Sequence, residues 1–96
     1  MNAYLILDLS IKNMQVFQEY IEKIPEVIKK YSGRYIVQGV KPTVIEGDWK
    51  PERVVVIEFP SRVSAEEFLN DPKAQALFQI RHHATNSRLI LVDGCL

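Results

Sequence analysis

The strands this sequence predicts are apolar on both faces, and that property limits the possible architecture more than any other. In Ala3–Leu9, Ala3, Leu5, Leu7 and Leu9 point one way, while Tyr4, Ile6 and Asp8 point the other. Arg53–Phe59 sets Arg53, Val55, Ile57 and Phe59 against Val54, Val56 and Glu58. Ser87–Asp93 sets Leu89, Leu91 and Asp93 against Arg88, Ile90 and Val92. A sheet with one wet face shows apolar/polar alternation, so both faces here call for cover. Helices can cover only one. The other exceeds the apolar patch that a monomer normally tolerates, and two copies packed sheet on sheet about a two-fold axis would hide it. A homodimer through the sheet face is therefore expected.

The remaining elements fit between these strands. Met14, Phe17, Ile21, Ile24, Ile28 and Tyr31 recur three and four residues apart, which is the apolar stripe of an amphipathic helix. Asn13 is its N-cap, Pro25 is expected to bend it, and Ser32-Gly33 ends it. Gly33–Val40 reads as a strand, followed by Lys41-Pro42, a short extended piece at Thr43–Glu46 and a turn at Gly47–Pro51. Ser64 with Glu67 forms a capping box for a short helix. Asp71 as N-cap and Pro72 at the first helical position open another, carrying Ala74, Leu77, Phe78 and Arg81. The order is β-α-β-β-α-β. This is an α+β, ferredoxin-like arrangement: a four-stranded antiparallel sheet with helices on one face, as a single domain over residues 1–96.

Composition narrows the function classes. Twelve basic and twelve acidic residues cancel, so no basic field exists to attract nucleic acid or an anionic membrane. The single cysteine, Cys95, cannot form an internal disulfide, and no Cys/His spacing suits zinc. The apolar run at the N-terminus is interrupted by Asp8 and preceded by no basic residues, unlike a signal peptide or membrane span. A cytoplasmic location is expected, without metal or organic cofactor.

Charges inside the strands mark candidate chemistry, because a buried charge must be paired. Asp8, Asp93 and Arg34 lie towards strand ends and are expected to reach water. Glu58 interrupts a longer apolar run and is the candidate for a pocket or a buried pair. Arg81-His82-His83 follows the stripe of the last helix. Adjacent histidines point about 100° apart, so they do not share a metal, but either His82 or His83 can serve as a general base. Arg81 offers a planar fork for a carboxylate. Trp49, in a turn with Gly47 and Asp48, either packs on a partner subunit or closes a pocket rim.

The block Glu46-Gly47-Asp48-Trp49-Lys50-Pro51-Glu52-Arg53, running through Val54–Phe59 to Pro60-Ser61, resembles an uncharacterised family called domain of unknown function 1330. Tyr31–Tyr35, Gln38-Gly39, Asp71-Pro72 with Arg81, and Val92-Asp93-Gly94 occupy the places of its other motifs. Ser32 and Val40 stand where glycine is usual, and Gln38 where arginine is common. The resemblance implies a dimeric α/β barrel and no established activity.

Three functions follow from these features. The first is a cofactor-independent enzyme for a small molecule, such as one bearing a carboxylate, of the isomerase or monooxygenase kind hosted by similar barrels. There Glu58, His82 or His83 would move a proton, Arg34, Arg53 and Arg81 would hold an oxyanion, and Trp49 would act as a lid. The second is a homodimeric ligand-binding module without catalysis. The third, RNA binding by the same β-α-β-β-α-β order, is disfavoured because Val54 and Val56 occupy the positions where aromatic rings would stack bases.

Overall fold

A computed structural model describes all residues, 1–96. Its elements are β1 (Ala3–Ile11), α1 (Met14–Lys30), β2 (Arg34–Val40), β3 (Arg53–Phe59), α2 (Arg62–Asn70), α3 (Pro72–Ala84) and β4 (Thr85–Asp93). The strands form one antiparallel sheet in the order β2-β3-β1-β4. The helices lie on one face, over the buried side chains of Ala3, Leu5, Leu7, Leu9, Ile57 and Phe59. This is the ferredoxin-like arrangement. No helix is long and apolar enough to cross a membrane.

Local chemistry explains most boundaries. The Asn13 carboxamide accepts from the Val16 amide (3.1 Å) and opens α1. At its other end, Ser32 N–H donates to the Lys29 carbonyl and Gly33 N–H to the Ile28 carbonyl, a Schellman closure. Ser32 takes the left-handed conformation this closure requires (φ 62°). Gly33 follows because a Cβ there would lie 2.6 Å from the Phe59 ring and 2.8 Å from Ile28. The α2 cap is Ser61, whose hydroxyl accepts from the Ser64 amide (3.1 Å), and not Ser64. The Ser64 hydroxyl instead donates to the Tyr31 carbonyl (2.7 Å).

Other expectations shift as well. Thr43–Glu46 is not a strand. β1 continues to Ile11, and β4 begins at Thr85, directly after α3. The buried stripe of α1 is Phe17, Tyr20, Ile24, Val27 and Ile28, whereas Met14 is 50% and Ile21 38% exposed. The stripe is rotated because α1 packs against α3 as well as against the sheet, and Tyr20 turns towards α3.

Asp71 ties the helices together. One carboxylate oxygen accepts from the Lys73 (2.8 Å) and Ala74 (3.1 Å) amides, and the other from the Tyr31 hydroxyl and the Lys30 ammonium. The Tyr31 hydrogen bond, the Ala74 amide and the Lys30 ammonium hold its carboxyl well below the usual carboxylate range, against the opposing effect of burial. Beside it Phe68 packs on Phe59 (centroids 5.3 Å apart) and edge-on to Phe78 (5.7 Å), filling this end of the core.

The opposite face of the sheet carries no helix. Its residues fall into rows that follow from the register. A middle row, Val56, Ile6 and Ile90, is wholly apolar. On one side of it, Glu58 accepts from the Arg34 guanidinium (2.7 Å) and the Tyr4 hydroxyl (3.1 Å). On the other side, Asp8 accepts from Arg88 (3.2 Å) and the Trp49 indole (2.9 Å), which draws the β2–β3 loop over the sheet. Asp8 therefore does not simply reach water. Its side chain is only 14% exposed because two donors clasp it. Arg34 and Asp93 do reach solvent.

Candidate functional site

The main apolar cleft lies on the helix side, between α1 and the sheet, with a volume of 320 Å³. Its bottom is formed by Leu7, Leu9, Phe17, Ile24 and Ile57, all buried. Met14 and Ile21 flank the mouth from α1, and Gln38, Gly39 and Arg53 flank it from β2 and β3. The exposure of those two α1 side chains thus belongs to the rim of the cleft. Gly39 has φ +70° at one of two irregularities in the β2–β3 pairing, and the Arg53 guanidinium donates to its carbonyl (3.1 Å).

Tyr20 and Tyr35 also line the cleft. Burial pushes both phenols up, with Arg81 partly opposing the shift at Tyr20 and Tyr20 adding to it at Tyr35. Both therefore remain protonated at neutral pH, as hydrogen-bond donors. The cleft can hold a compact apolar molecule. Two tyrosines on its lining, and an amide and a guanidinium at the mouth, are the groups available to meet an acceptor. No His, Asp or Glu lines it.

The candidate residues from the sequence are distributed over both faces. Arg53 stands at the cleft mouth. Glu58 and Arg34 pair with each other on the helix-free face, and the Arg34 hydrogen bond is the main reason the Glu58 carboxyl sits below its ordinary range. Trp49 lies on that same face, at the opposite end. Arg81 is 3% exposed on the helix side, its guanidinium beside the rings of Phe78 (5.1 Å) and Tyr20 (5.8 Å). His82 and His83 are exposed. Desolvation, then Arg81 and His83, push the His82 imidazole down. His83 Nδ1 lies 2.8 Å from the Gln79 carbonyl. Glu58 and Arg81 therefore do not meet within one chain, because the sheet separates them. No three His, Cys, Asp or Glu side chains converge.

Sequence reasoning missed Tyr20, Tyr35 and Gln38. Tyr20 was detectable, since it sits three residues from Phe17 and four from Ile24. Tyr35 alternates with Arg34, which marks it as facing the helices.

An antiparallel ferredoxin-like sheet with an apolar helix-side cleft defines a class of small α+β proteins. Within that class the chain belongs to the family described as Domain of unknown function (DUF1330), whose model matches residues 2–95. No curated protein matches it in sequence. Among solved structures it is similar to the RPA0582 protein of unknown function from Rhodopseudomonas palustris, with 18% identity and a TM-score of 0.80 over 99% of this chain and 83% of that one. A dimeric ferredoxin-like protein of unknown function from Jannaschia sp. CCS1 is 8% identical, with a TM-score of 0.75 over 98% and 100% of the two chains. SnoaB, a cofactor-independent oxygenase from Streptomyces nogalater, is 10% identical, with a TM-score of 0.69 over 99% and 94%.

Proposed function

We propose that this chain is a homodimeric binding protein for a small, mainly apolar molecule carrying a carbonyl, phenolate or carboxylate oxygen. The observation that carries the reading is the cleft under α1, with two protonated phenols and the Arg53 guanidinium on its lining. The pairing of two copies is supported by the apolar row Val56–Ile6–Ile90 on a face with no helix, and by the dimeric description of the Jannaschia protein.

A second reading, a cofactor-independent enzyme, is favoured by the same phenols and by the likeness in fold to SnoaB. In it, Tyr20 and Tyr35 donate to a substrate oxygen and hold the charge that develops there, while Arg53 orients the molecule. The cleft lining contains no group that titrates near neutrality, so the substrate itself would have to supply the acidic proton.

Thermal-shift titration with small hydroxyaromatic and aromatic carbonyl compounds tests the site. A true ligand at a hundredfold excess over its Kd stabilises the fold by about 2.7 kcal/mol. Arg53→Ala and Tyr20→Phe should weaken that shift, and Ile21→Trp, which plugs the mouth, should remove it. A stabilisation that survives Ile21→Trp places the ligand elsewhere and overturns the reading. Product analysis on the same mixtures separates binding from turnover.

A further inference from the structure

A second groove lies between α3 and β4, also on the helix side, with a volume of 420 Å³. Arg81 is the only buried residue lining it. Its guanidinium pairs with no carboxylate: none of the six ion pairs in the molecule includes it. Its Nε is the only buried side-chain polar atom without a hydrogen-bond partner. Nη2 reaches only His82 Nε2, at 3.5 Å, the outer limit of a hydrogen bond.

A cation in this position is expensive. Burying a charge without a partner costs several kcal/mol, and buried guanidinium groups are ordinarily paired. The Phe78 and Tyr20 rings and the carbonyl end of α3 offset part of that cost. None of them satisfies the planar donor fork. The groove supplies what a ligand would need around it. Phe78, Leu69 and Leu89 offer apolar surface, and Gln75, Gln79 and Ser87 offer hydrogen-bonding groups.

We propose that this groove is a binding site for a small organic carboxylate, with Arg81 as its anion receptor. It is separate from the cleft under α1, which shares none of its lining residues. The carboxylate pairs with the guanidinium fork and the body of the molecule lies against Phe78 and Leu89. A neutral His82 beside Nη2 accepts from the guanidinium and leaves the anion to the fork.

Two-dimensional amide NMR spectra of the full chain, titrated with sodium benzoate and separately with benzamide, test this. Benzoate should move the Gln79, Ser87 and Leu89 signals saturably. Benzamide, alike in shape but uncharged, should bind weaker by about tenfold or more. Arg81→Gln should abolish the benzoate response, and Arg81→Lys, which keeps the charge and loses the fork, should leave a weakened one. Ser87→Leu fills the groove from β4 with Arg81 in place, so it carries the test even if Arg81→Gln fails to fold. It should remove the benzoate shifts. Equal binding of benzamide, shifts at Met14, Phe17 and Gln38 in place of the groove, or shifts that persist in Ser87→Leu would each overturn the proposal.

Discussion

The two faces of the sheet are made of much the same side chains and have opposite fates. On the helix side, Leu5, Leu7, Leu9 and Ile57 are between 2% and 5% exposed. On the other side, Ile90 is 56% and Val92 37% exposed. Hydrophobicity therefore marks both faces for burial, but one chain supplies cover for only one. The charges repeat the lesson. Asp8, Glu58, Arg34 and Arg88 all lie on the uncovered face, paired at its two ends, and leave the middle row without polarity. A face built to stay wet would carry charge in the middle as well.

One substitution on each side of the sheet should separate the two faces most widely. Phe59→Ala removes a ring with no exposure and should lower stability by about 3–5 kcal/mol, read by urea unfolding. Ile90→Lys should leave the unfolding free energy of the isolated chain, read at concentrations below those at which two copies pair, within about 0.5 kcal/mol. It should nevertheless weaken self-association on the order of a hundredfold, read by sedimentation. A wild-type protein that sediments as a monomer, or an Ile90→Lys variant that associates unchanged, would break the contrast between the faces.

The next effect is smaller and depends on pH. Asp71 has a lowered native carboxyl, so its contribution is complete at neutral pH. That contribution declines as pH falls below the ordinary aspartate value of about 3.9, and is gone once the pH drops through the lowered native value. Asp71→Asn, which keeps a capping oxygen and loses the charge, should melt several degrees lower at neutral pH. The gap should narrow on acidification. A gap that is constant with pH would show that the ion pair and the charged hydrogen bonds contribute nothing.

The smallest change is Ser32→Gly. It relieves a left-handed residue at an exposed helix end and should stabilise the chain by about 0.5–1 kcal/mol in thermal or chemical unfolding.

Much of this architecture was legible because local chemistry repeats in it. The limits of Arg53–Phe59, the Asn13 cap and the Asp71-Pro72 helix start all follow from neighbouring residues and match the structure. What was not legible depends on partners far along the chain. The stripe that periodicity marks on α1 passes one flank away from Tyr20, because nothing near that helix announces α3. Strand parity separates Glu58 from Arg81: Glu58 alternates with Phe59, so it faces away from every helix. Tyr35 and Gln38 reach the cleft through an irregular edge pairing that composition does not reveal.

The indole of Trp49 hydrogen-bonds to Asp8 at the border of the uncovered face, and it is 58% exposed. It is also the only tryptophan in the chain. The molecule thus carries an intrinsic optical probe at the edge of its unpaired surface. If two copies close over that surface, the fluorescence emission of a single chromophore should move to shorter wavelength as concentration rises, and the assembly can be followed without a label.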